Sequence, residues 1–202
     1  MKTLNLKRIN KPIKISQIKY FDKRGYFQEI FLKKNFKLDI KFTAIARSKK
    51  NVIRGLHFQL KNKQTKLIHV VQGKILDVVV NLKKNSRNFG KVSHFLLSEG
   101  EMLFIPKFYA HGYECLSKNC SVYYHLENYR DAKNESGIQY NDKKLKIKWK
   151  TKKPILSKRD TSHLSFSEFK KNINLYNFEL KVLKYFRGFF NIFKIYKKYT
   201  KK

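Results

Sequence analysis

Two segments of the chain carry polar side chains able to do acid–base chemistry within strand-like surroundings. The first is Arg54-Gly55-Leu56-His57-Phe58-Gln59, and the second runs from Pro106 to Tyr113 and contains His111. An imidazole can act as a general base near neutral pH. A lone histidine is more often a packed core residue or a surface residue than a catalytic one. The residues around each histidine must therefore indicate whether it is catalytic. Regular alternation places Arg54 on the face opposite His57, unless Gly55 bulges the strand.

The elements that position these side chains are short apolar runs separated by polar turns, from about Phe42 to Trp149. Many of the runs are rich in β-branched residues, as strands usually are. A tight turn at Gln72-Gly73 joins two of them. Strands are predicted at 67–71, 74–82, 92–97, 102–105 and 120–126. This texture predicts an all-β sandwich or barrel.

The formal net charge is +33, from 47 basic and 14 acidic residues. A basic surface attracts polyphosphates whatever the fold, which raises the question of nucleic-acid binding. Only eight of the basic residues are arginine, the residue that binds phosphates and guanine edges bidentately. The lysines are spread along the whole chain, which is typical of a compositional bias. We therefore expect no nucleic-acid partner.

The 202 residues, 42% of them hydrophobic, suit one domain with a tail. No stretch approaches the roughly 20 apolar residues that a membrane span requires. The N-terminal residues carry charges where a signal peptide has an apolar run. Cys115 and Cys120 form neither a disulfide framework nor a CxxC pair. We expect a cytoplasmic protein whose main domain covers residues 1–165.

Residues 166–202 form a basic and aromatic extension. Phe186, Phe189, Phe190 and Phe193 partly follow helical spacing, with lysines nearby. A basic amphipathic helix can lie on an anionic membrane surface, or pack on its own domain or a partner subunit. The sequence predicts a helical extension, with peripheral membrane contact as one alternative.

Seven motifs in order resemble those of the dTDP-4-dehydrorhamnose 3,5-epimerase family, from about Tyr20 to Asp160. The segment Asp22–Glu29 resembles D-x-R-G-x-F-x-E, and Asn51–Gln59 is similar to V-L-R-G-L-H-x-Q. The remaining five involve Lys66-Leu67 with Gly73 and Asp77-Val78; Ser86, Phe89 and Gly90; Pro106 with Ala110-His111-Gly112; Tyr124, Tyr129, Glu135, Asn141-Asp142 and Trp149; and Leu156–Asp160.

The resemblance implies a jelly-roll (cupin-type) β-barrel, normally a homodimer, that acts on a nucleotide-linked 4-keto-6-deoxy sugar. Inverting C3 and C5 requires removal of a proton from carbon α to the ketone. By matching position, His57 is the base, Asp160 orients it, Lys66 lies near the enolate oxygen and Tyr124 returns a proton from the opposite face. A histidine suits the first role because its ordinary pKa is ~6.5.

The resemblance also implies a set of residues that bind the sugar nucleotide. Arginine suits such a site because it binds pyrophosphate oxygens bidentately. His111 matches a position on the site wall, and Tyr129 a position that could stack on the base. The matching substrate-binding positions are Arg24, Phe27, Glu29, Arg54, Gln59, His111 and Tyr129.

A metal centre is the main chemical alternative, since many cupins bind a metal through His-x-His and a later histidine. The corresponding triplet here is His57-Phe58-Gln59, and glutamine is a poor ligand for a transition metal. His57 and His111 without a suitably spaced carboxylate form an incomplete ligand set. We expect a metal-independent reaction without a cofactor.

The chain departs from the family pattern between Phe42 and Ser48, where polar residues usually help to hold the substrate. The segment reads Phe42-Thr43-Ala44-Ile45-Ala46-Arg47-Ser48. The departure leaves the acid–base set intact but keeps alternatives open. These are a single-site epimerase or ketoisomerase on a related 4-keto sugar, and a non-catalytic cupin that binds carbohydrate.

Overall fold

The computed structural model describes residues 4–173. The chain divides into two units, Met1–His163 and Leu164–Lys202. The helical pattern between Phe186 and Phe193 lies outside the described residues, so the membrane contact of the extension stays a prediction. Within residues 4–173, no helix has the length and apolar character needed to span a membrane.

Across residues 4–163, the first unit contains twelve strands and two helices of a single turn, with a 3-10 turn at Leu6–Arg8. This content confirms the predicted all-β class. The strands are β1 (Ile13–Ser16), β2 (Tyr20–Asp22), β3 (Gly25–Phe27), β4 (Phe42–Lys49), β5 (Ile53–Gln59), β6 (Lys66–Gln72), β7 (Lys74–Asn81), β8 (Val92–Ser98), β9 (Glu101–Ile105), β10 (Tyr109–Cys115), β11 (Asn119–Leu126) and β12 (Glu135–Gly137), and the helices are α1 (Lys33–Phe36) and α2 (Lys158–Thr161).

Ten strands form two five-stranded antiparallel sheets that face each other. The first sheet has the order β1-β9-β6-β11-β4, and the second β12-β5-β10-β7-β8. Among the strands of the described residues, β2 and β3 pair only with each other, as a separate hairpin. From β5 to β11 the chain changes sheet at every connection except β7–β8. Two facing sheets joined in this way form a jelly-roll arrangement.

The predicted turn at Gln72-Gly73 is present, but the strands that it joins are not paired. Strand β6 pairs with β9 and β11, whereas β7 pairs with β8 and β10. Gly73 adopts a φ of 80°, and a Cβ there would lie 2.4 Å from the carbonyl oxygen of Asn119. A glycine therefore permits the sharp crossing from one sheet to the other.

The interior between the sheets is apolar at one end and polar at the other. Strand alternation directs every second side chain inward, and the apolar cluster includes Ile68, Val70, Ile75, Val79, Tyr113, Cys115, Cys120 and Val122. By the same alternation, four polar residues share the inward face: Lys66 on β6, Asp77 on β7, His111 on β10 and Tyr124 on β11. The polar end is where the candidate site lies.

The outer face of the first sheet is covered by the N-terminal segment. Leu6, Ile15 and Phe36 form a buried cluster with Leu67 and Phe104 of the sheet. Burial of this apolar surface stabilises the barrel wall that carries Lys66 and Tyr124.

The second unit begins a helix within its described part. Residues 166–173 are helical. The Oγ of Ser165 accepts a hydrogen bond from the amide of Glu168 (3.2 Å), and the Glu168 carboxylate accepts one from the amide of Ser165 (2.7 Å). This reciprocal capping box marks the start of the helix.

Candidate active site

A bulge in β5 turns two functional side chains to the same face. His57 pairs with His111 and Arg54 pairs with Tyr113, so β5 advances three residues where β10 advances two. The extra residue makes a β-bulge. Side chains of paired residues point to the same face of a sheet, so Arg54 and His57 both point inward. The alternation expected for a regular strand is therefore wrong here, for the reason that Gly55 suggested.

Two glycines let the bulged strand approach β10 closely. Gly55 has a φ of 122°, and a Cβ there would lie 2.5 Å from the Cα of Gly112. A Cβ on Gly112 would lie 2.7 Å from the carbonyl oxygen of Arg54. The R-G-L-H and A-H-G motifs are thus the two sides of one backbone contact.

The structure brings His57 together with Asp160, which lies 103 residues later in the chain. The His57 Nε2 is 2.5 Å from Asp160 Oδ1. Asp160 lies in α2, where its amide donates a hydrogen bond to the Oγ of the N-cap residue Ser157 at 3.1 Å. Since Nε2 faces a carboxylate, it carries the hydrogen, and Nδ1 is the nitrogen with a lone pair available for a proton.

Burial and charge prepare this pair for base chemistry. Burial lowers the pKa of His57 below its ordinary value, although the hydrogen bond to Asp160 opposes the change. Burial would raise the pKa of Asp160, but the hydrogen bonds from His163 and His57 outweigh it and hold that pKa well below the ordinary range. At neutral pH the imidazole is therefore unprotonated and the carboxylate ionised.

Lys66 lies buried at the start of β6, with 9% of the residue exposed. Burial lowers the pKa of its ammonium group to about 8, while the charges of Glu135 and Asp77 oppose the shift. Most Lys66 side chains thus remain protonated at pH 7. A buried ammonium is a strong electrostatic partner for a negative charge that develops nearby.

Tyr124 and His111 meet across the polar end of the interior. Their rings make an edge contact with centroids 6.1 Å apart. Burial raises the pKa of the Tyr124 hydroxyl well above its ordinary value, so the hydroxyl keeps its proton. His111 is fully buried and its Nε2 lies 2.7 Å from Asp77 Oδ2. Because His111 is the register partner of His57, Tyr124 stands on the wall facing His57.

Three further predicted residues contact neighbouring strands or loops. Arg54 donates from Nε to the Oγ of Ser48 at 2.9 Å. The Gln59 amide binds backbone, donating to the carbonyl of Asn62 (2.9 Å) and accepting from the amide of Asp131 (2.7 Å), so it holds the loop that carries Tyr129. Tyr129 is 68% exposed and stacks on Phe42. Direct contact of Gln59 or Tyr129 with substrate stays a prediction.

Arg24, Phe27 and Glu29 are not brought to the site of their own chain. They lie on or just after the β2–β3 hairpin and are exposed. The hairpin packs at the Glu99–Gly100 turn, where Tyr26 donates to Glu99 Oε1 at 2.8 Å. The amide of Gly100 binds the carbonyl of Val70, and Val70 lies four residues along β6 from Lys66, about 13 Å away.

Sequence reasoning assigned no role to Asp77 and did not consider His163. The signal for Asp77 was a lone carboxylate within the apolar run Ile75–Val80. His163 follows α2, and its Nε2 lies 3.2 Å from the same Asp160 oxygen that binds His57. No periodic pattern marks His163, because it lies outside any strand.

His57, Asp160 and His163 also have the donor types of a metal site, and their ligand atoms lie within 4.8 Å of one another. The sequence interpretation did not test this set, because it weighed His57 with His111. Two imidazoles and one carboxylate could bind a transition metal. Their mutual hydrogen bonds satisfy the same atoms without one, and metal independence stays a prediction.

Comparison with known proteins agrees with this geometry. Residues 7–168 match the family model of dTDP-4-dehydrorhamnose 3,5-epimerase. The enzyme of that name from Shigella flexneri is 36% identical over 154 residues, which cover 72% of this chain and 85% of the relative.

Solved structures show the same fold. The dTDP-4-dehydrorhamnose 3,5-epimerase of Bacillus anthracis, solved with TDP and pyrophosphate, is 35% identical, with a TM-score of 0.74 over 77% of this chain and 94% of that one. The dTDP-6-deoxy-D-glucose-3,5-epimerase of Legionella pneumophila, in complex with dTDP-4-keto-L-rhamnose, is 31% identical, with a TM-score of 0.73 over 80% and 90%. The chain therefore belongs to the dTDP-4-dehydrorhamnose 3,5-epimerase family of isomerases and has its cupin-type jelly-roll fold.

Proposed function

We propose that the protein inverts C3 and C5 of a dTDP-4-keto-6-deoxyhexose by proton abstraction next to the C4 ketone. The observation that supports the proposal is the placement of an imidazole–carboxylate pair and a tyrosine hydroxyl on facing walls. His57, oriented by Asp160, belongs to the second sheet, and Tyr124 belongs to the first. A sugar ring between them would meet a base on one face and a hydroxyl on the other.

The first step is removal of the proton on carbon α to the ketone. The lone pair of His57 Nδ1 takes the proton, and the electrons of the C–H bond form a C=C bond while those of C=O move to oxygen. The imidazolium that forms is stabilised by Asp160, 2.5 Å from Nε2. A positioned base of this kind contributes about 10²–10⁴-fold to a rate.

Lys66 stabilises the enolate. Its ammonium lies buried at the polar end of the interior, where a positive charge interacts more strongly with an oxyanion than it does in water. Arg54 adds a second cation to the interior, close enough to act electrostatically on Tyr124, and the net charge of +33 favours the approach of an anionic sugar nucleotide.

Tyr124 completes the inversion. Its hydroxyl donates a proton to the carbanionic carbon from the opposite face, the enolate returns to a ketone, and the phenolate regains a proton from solvent. The raised pKa of Tyr124 keeps the donor protonated before the step. The His57 imidazolium releases its proton to solvent, and repetition at the other α carbon then gives the doubly inverted sugar.

The proposal is tested by incubating the protein with dTDP-4-keto-6-deoxyglucose in heavy water and following the sugar protons by NMR. Exchange with inversion at both C3 and C5 is the expected result. Exchange at one carbon alone would replace the proposal with a single-site epimerase. Binding without exchange at either carbon would contradict catalysis on this substrate and favour a binding role.

We also propose a homodimer in which each chain completes the site of its partner. Arg24, Phe27 and Glu29 match substrate-binding positions, yet the hairpin lies at the far end of β6 from Lys66 in the same chain. Its aromatic residues are exposed, Phe21 by 73% and Phe27 by 67%. Exposed aromatic side chains of this kind favour an interface. A second copy is the occupant that would bring the hairpin to a catalytic site.

Complementation between two inactive variants tests this arrangement. His57→Ala lacks the base, and Arg24→Ala with Phe27→Ala lacks the hairpin contacts. Random mixing of the refolded variants should restore about one quarter of the wild-type activity, since half of the dimers are mixed and each has one intact site. A monomer in solution, or mixtures with no restored activity, would contradict the proposal.

A further inference from the structure

The structure assigns a role to His163 that rests on the proposed function: we propose that it is a positioning residue that holds Asp160 in place for the base His57. The two imidazoles bind one carboxylate oxygen from two sides. His57 Nε2 lies 2.5 Å and His163 Nε2 3.2 Å from Asp160 Oδ1. A carboxylate held by one donor can rotate about its terminal bond, whereas a second donor on the same oxygen restricts that rotation.

The burial of the three groups makes the second donor important. The side chains of Asp160 and His163 are 5% and 7% exposed, so little water can replace a lost hydrogen bond. His57 is 28% exposed, and its ring meets the ring of His163 edge-on with centroids 5.3 Å apart. His163 therefore lies behind the dyad, on the side away from solvent, and acts on the reaction through Asp160.

Gly137 provides independent evidence that the space occupied by the His163 side chain fits an imidazole ring. Gly137 lies on β12, directly opposite His57 in the pairing of β12 with β5. A Cβ on Gly137 would lie 2.4 to 2.5 Å from Nε2, Cδ2 and Cε1 of His163. The φ of Gly137 lies outside the left-handed region, so the backbone does not require glycine here. The missing side chain leaves the space that the His163 ring fills.

His163 is distinct from the catalytic residues in what it can touch. His163 contacts Asp160, which binds Nε2 of His57. In the proposed reaction the substrate meets the other ring nitrogen of His57, Nδ1. Removing His163 should leave substrate binding unchanged while the dyad loses its fixed geometry. A hydrogen bond to a charged group in a buried site corresponds to about a tenfold to hundredfold change in rate.

The experiment compares kcat, KM and the NMR spectrum of ¹⁵N-histidine-labelled protein for wild type and four variants. His163→Ala removes the donor, His163→Gln keeps an amide N–H at the position of Nε2, Gly137→Ala displaces the ring, and His94→Asn controls for loss of an exposed histidine. His163→Ala should lower kcat about tenfold to a hundredfold with KM little changed. The downfield signal of the His57 Nε2 proton should shift or broaden in the same variant.

Rescue and coupling separate positioning from a merely structural role. His163→Gln should recover most of kcat and the His57 signal. Gly137→Ala should resemble His163→Ala, and the double variant should be no worse than the more damaging single one, because both changes remove the same contact. Should Gly137→Ala fail to fold, the two His163 variants still decide.

The results of these measurements distinguish failure of the positioning role from failure of the proposed function. A wild-type His57 proton signal in His163→Ala, or a lost kcat that His163→Gln does not restore, would overturn the positioning role. If the wild-type protein shows no exchange of substrate protons but the His57 signal responds to His163 as expected, the proposed function fails and the positioning of the dyad stands. His94→Asn should match wild type in kcat, in KM and in the His57 signal, and should lack only the signals of His94 itself.

Discussion

Two imidazole–carboxylate pairs stand side by side in the barrel, and the difference between them separates the proposed base from a buried structural contact. His57 and His111 are register partners on adjacent strands, and their hydrogen bonds to Asp160 and Asp77 are 2.5 and 2.7 Å long. The His57 side chain is 28% exposed, whereas the His111 side chain is 3% exposed. The two pairs contain the same chemical groups, but only the His57 imidazole is accessible from the opening of the interior. We therefore expect the two pairs to have different roles.

The two carboxylates differ as strongly as the imidazoles. Asp160 has several donors, and their hydrogen bonds hold its pKa well below the ordinary range despite burial. Burial raises the pKa of Asp77, and the charge and hydrogen bond of His111 only oppose it. The Oδ1 of Asp77 has no hydrogen-bond partner among residues 4–173. An ionised Asp160 can stabilise an imidazolium that forms during turnover. The pair of His111 and Asp77 has no such task in the proposed reaction.

The largest expected effect is the loss of the His57 imidazole. His57→Ala should lower exchange at both C3 and C5 by at least about a thousandfold, since it removes the general base. His111→Asn should instead lower the free energy of unfolding by about 1–3 kcal/mol, because it weakens the partner of a buried carboxylate. NMR exchange rates and denaturant unfolding curves measure the two. Equal losses of rate in both variants would break the distinction.

Substitution of the two carboxylates should likewise affect the rate to different extents. Asp160→Asn should slow turnover by about a hundredfold to ten-thousandfold, because an amide no longer selects the tautomer or stabilises the imidazolium. Asp77→Asn should change the rate by less than about tenfold, since its amide can still bind His111. Steady-state kinetics on the two variants, each with an unchanged circular dichroism spectrum, provide the comparison. A reversed ranking would place the reactive pair at His111.

The acid on the facing wall gives a smaller and more specific effect. Tyr124→Phe should slow inversion by about a hundredfold while proton removal by His57 continues. In heavy water, deuterium should then enter the substrate faster than the configuration changes. NMR resolves both rates in one experiment, and inversion at the wild-type rate would exclude Tyr124 as the donor.

The pH dependence of activity should report the titration of His57 and Lys66. Activity requires neutral His57 and protonated Lys66, so it should fall on the acid side only below the ordinary imidazole value of about 6.5. It should fall again as pH rises through about 8, where Lys66 loses its proton. Lys66→Arg should abolish this alkaline limb at a reduced rate, because a guanidinium stays charged. A wild-type alkaline limb that survives in Lys66→Arg would assign it to another group.

The smallest expected effect is that of chelation. Dialysis against EDTA should leave kcat unchanged, since the proposed steps use only side chains of the protein. Metal analysis of the dialysed protein serves as the control. A loss of activity restored by a divalent cation would show that His57, Asp160 and His163 hold a metal.

Local pattern predicted the strands and much of the interior, but not the meeting of distant segments. Lys66, Asp77, His111 and Tyr124 have the same strand parity as their apolar neighbours, so their inward direction was readable. The sequence did not indicate that β6 and β7 belong to different sheets, because a tight turn can join two paired strands or two strands of different sheets. The contact of Asp160 with His57 depended on the family resemblance, and His163 carried no pattern at all.

The bulge in β5 shows where the period of two fails as a guide. Arg54 and His57 are three residues apart, and a regular strand would separate them onto opposite faces. The glycine at 55 identified the place of the exception but not its outcome, since the extra residue could fall on either strand. Only the pairing with β10 decides it.

The helix that carries Asp160 has a single turn, Lys158–Thr161, too short to be stable without its surroundings. It is held by the Ser157 cap, by the ion pair of Arg159 with Glu135 at 2.9 Å and by the bridge of Val52 with Ile155. The barrel strands, in contrast, share continuous hydrogen-bonded ladders. Local opening should therefore release α2 before the sheets melt. Turnover would then vanish at a lower denaturant concentration than the β-sheet signal, and the amides of 158–161 would exchange with solvent ahead of those in β6, β7 and β11.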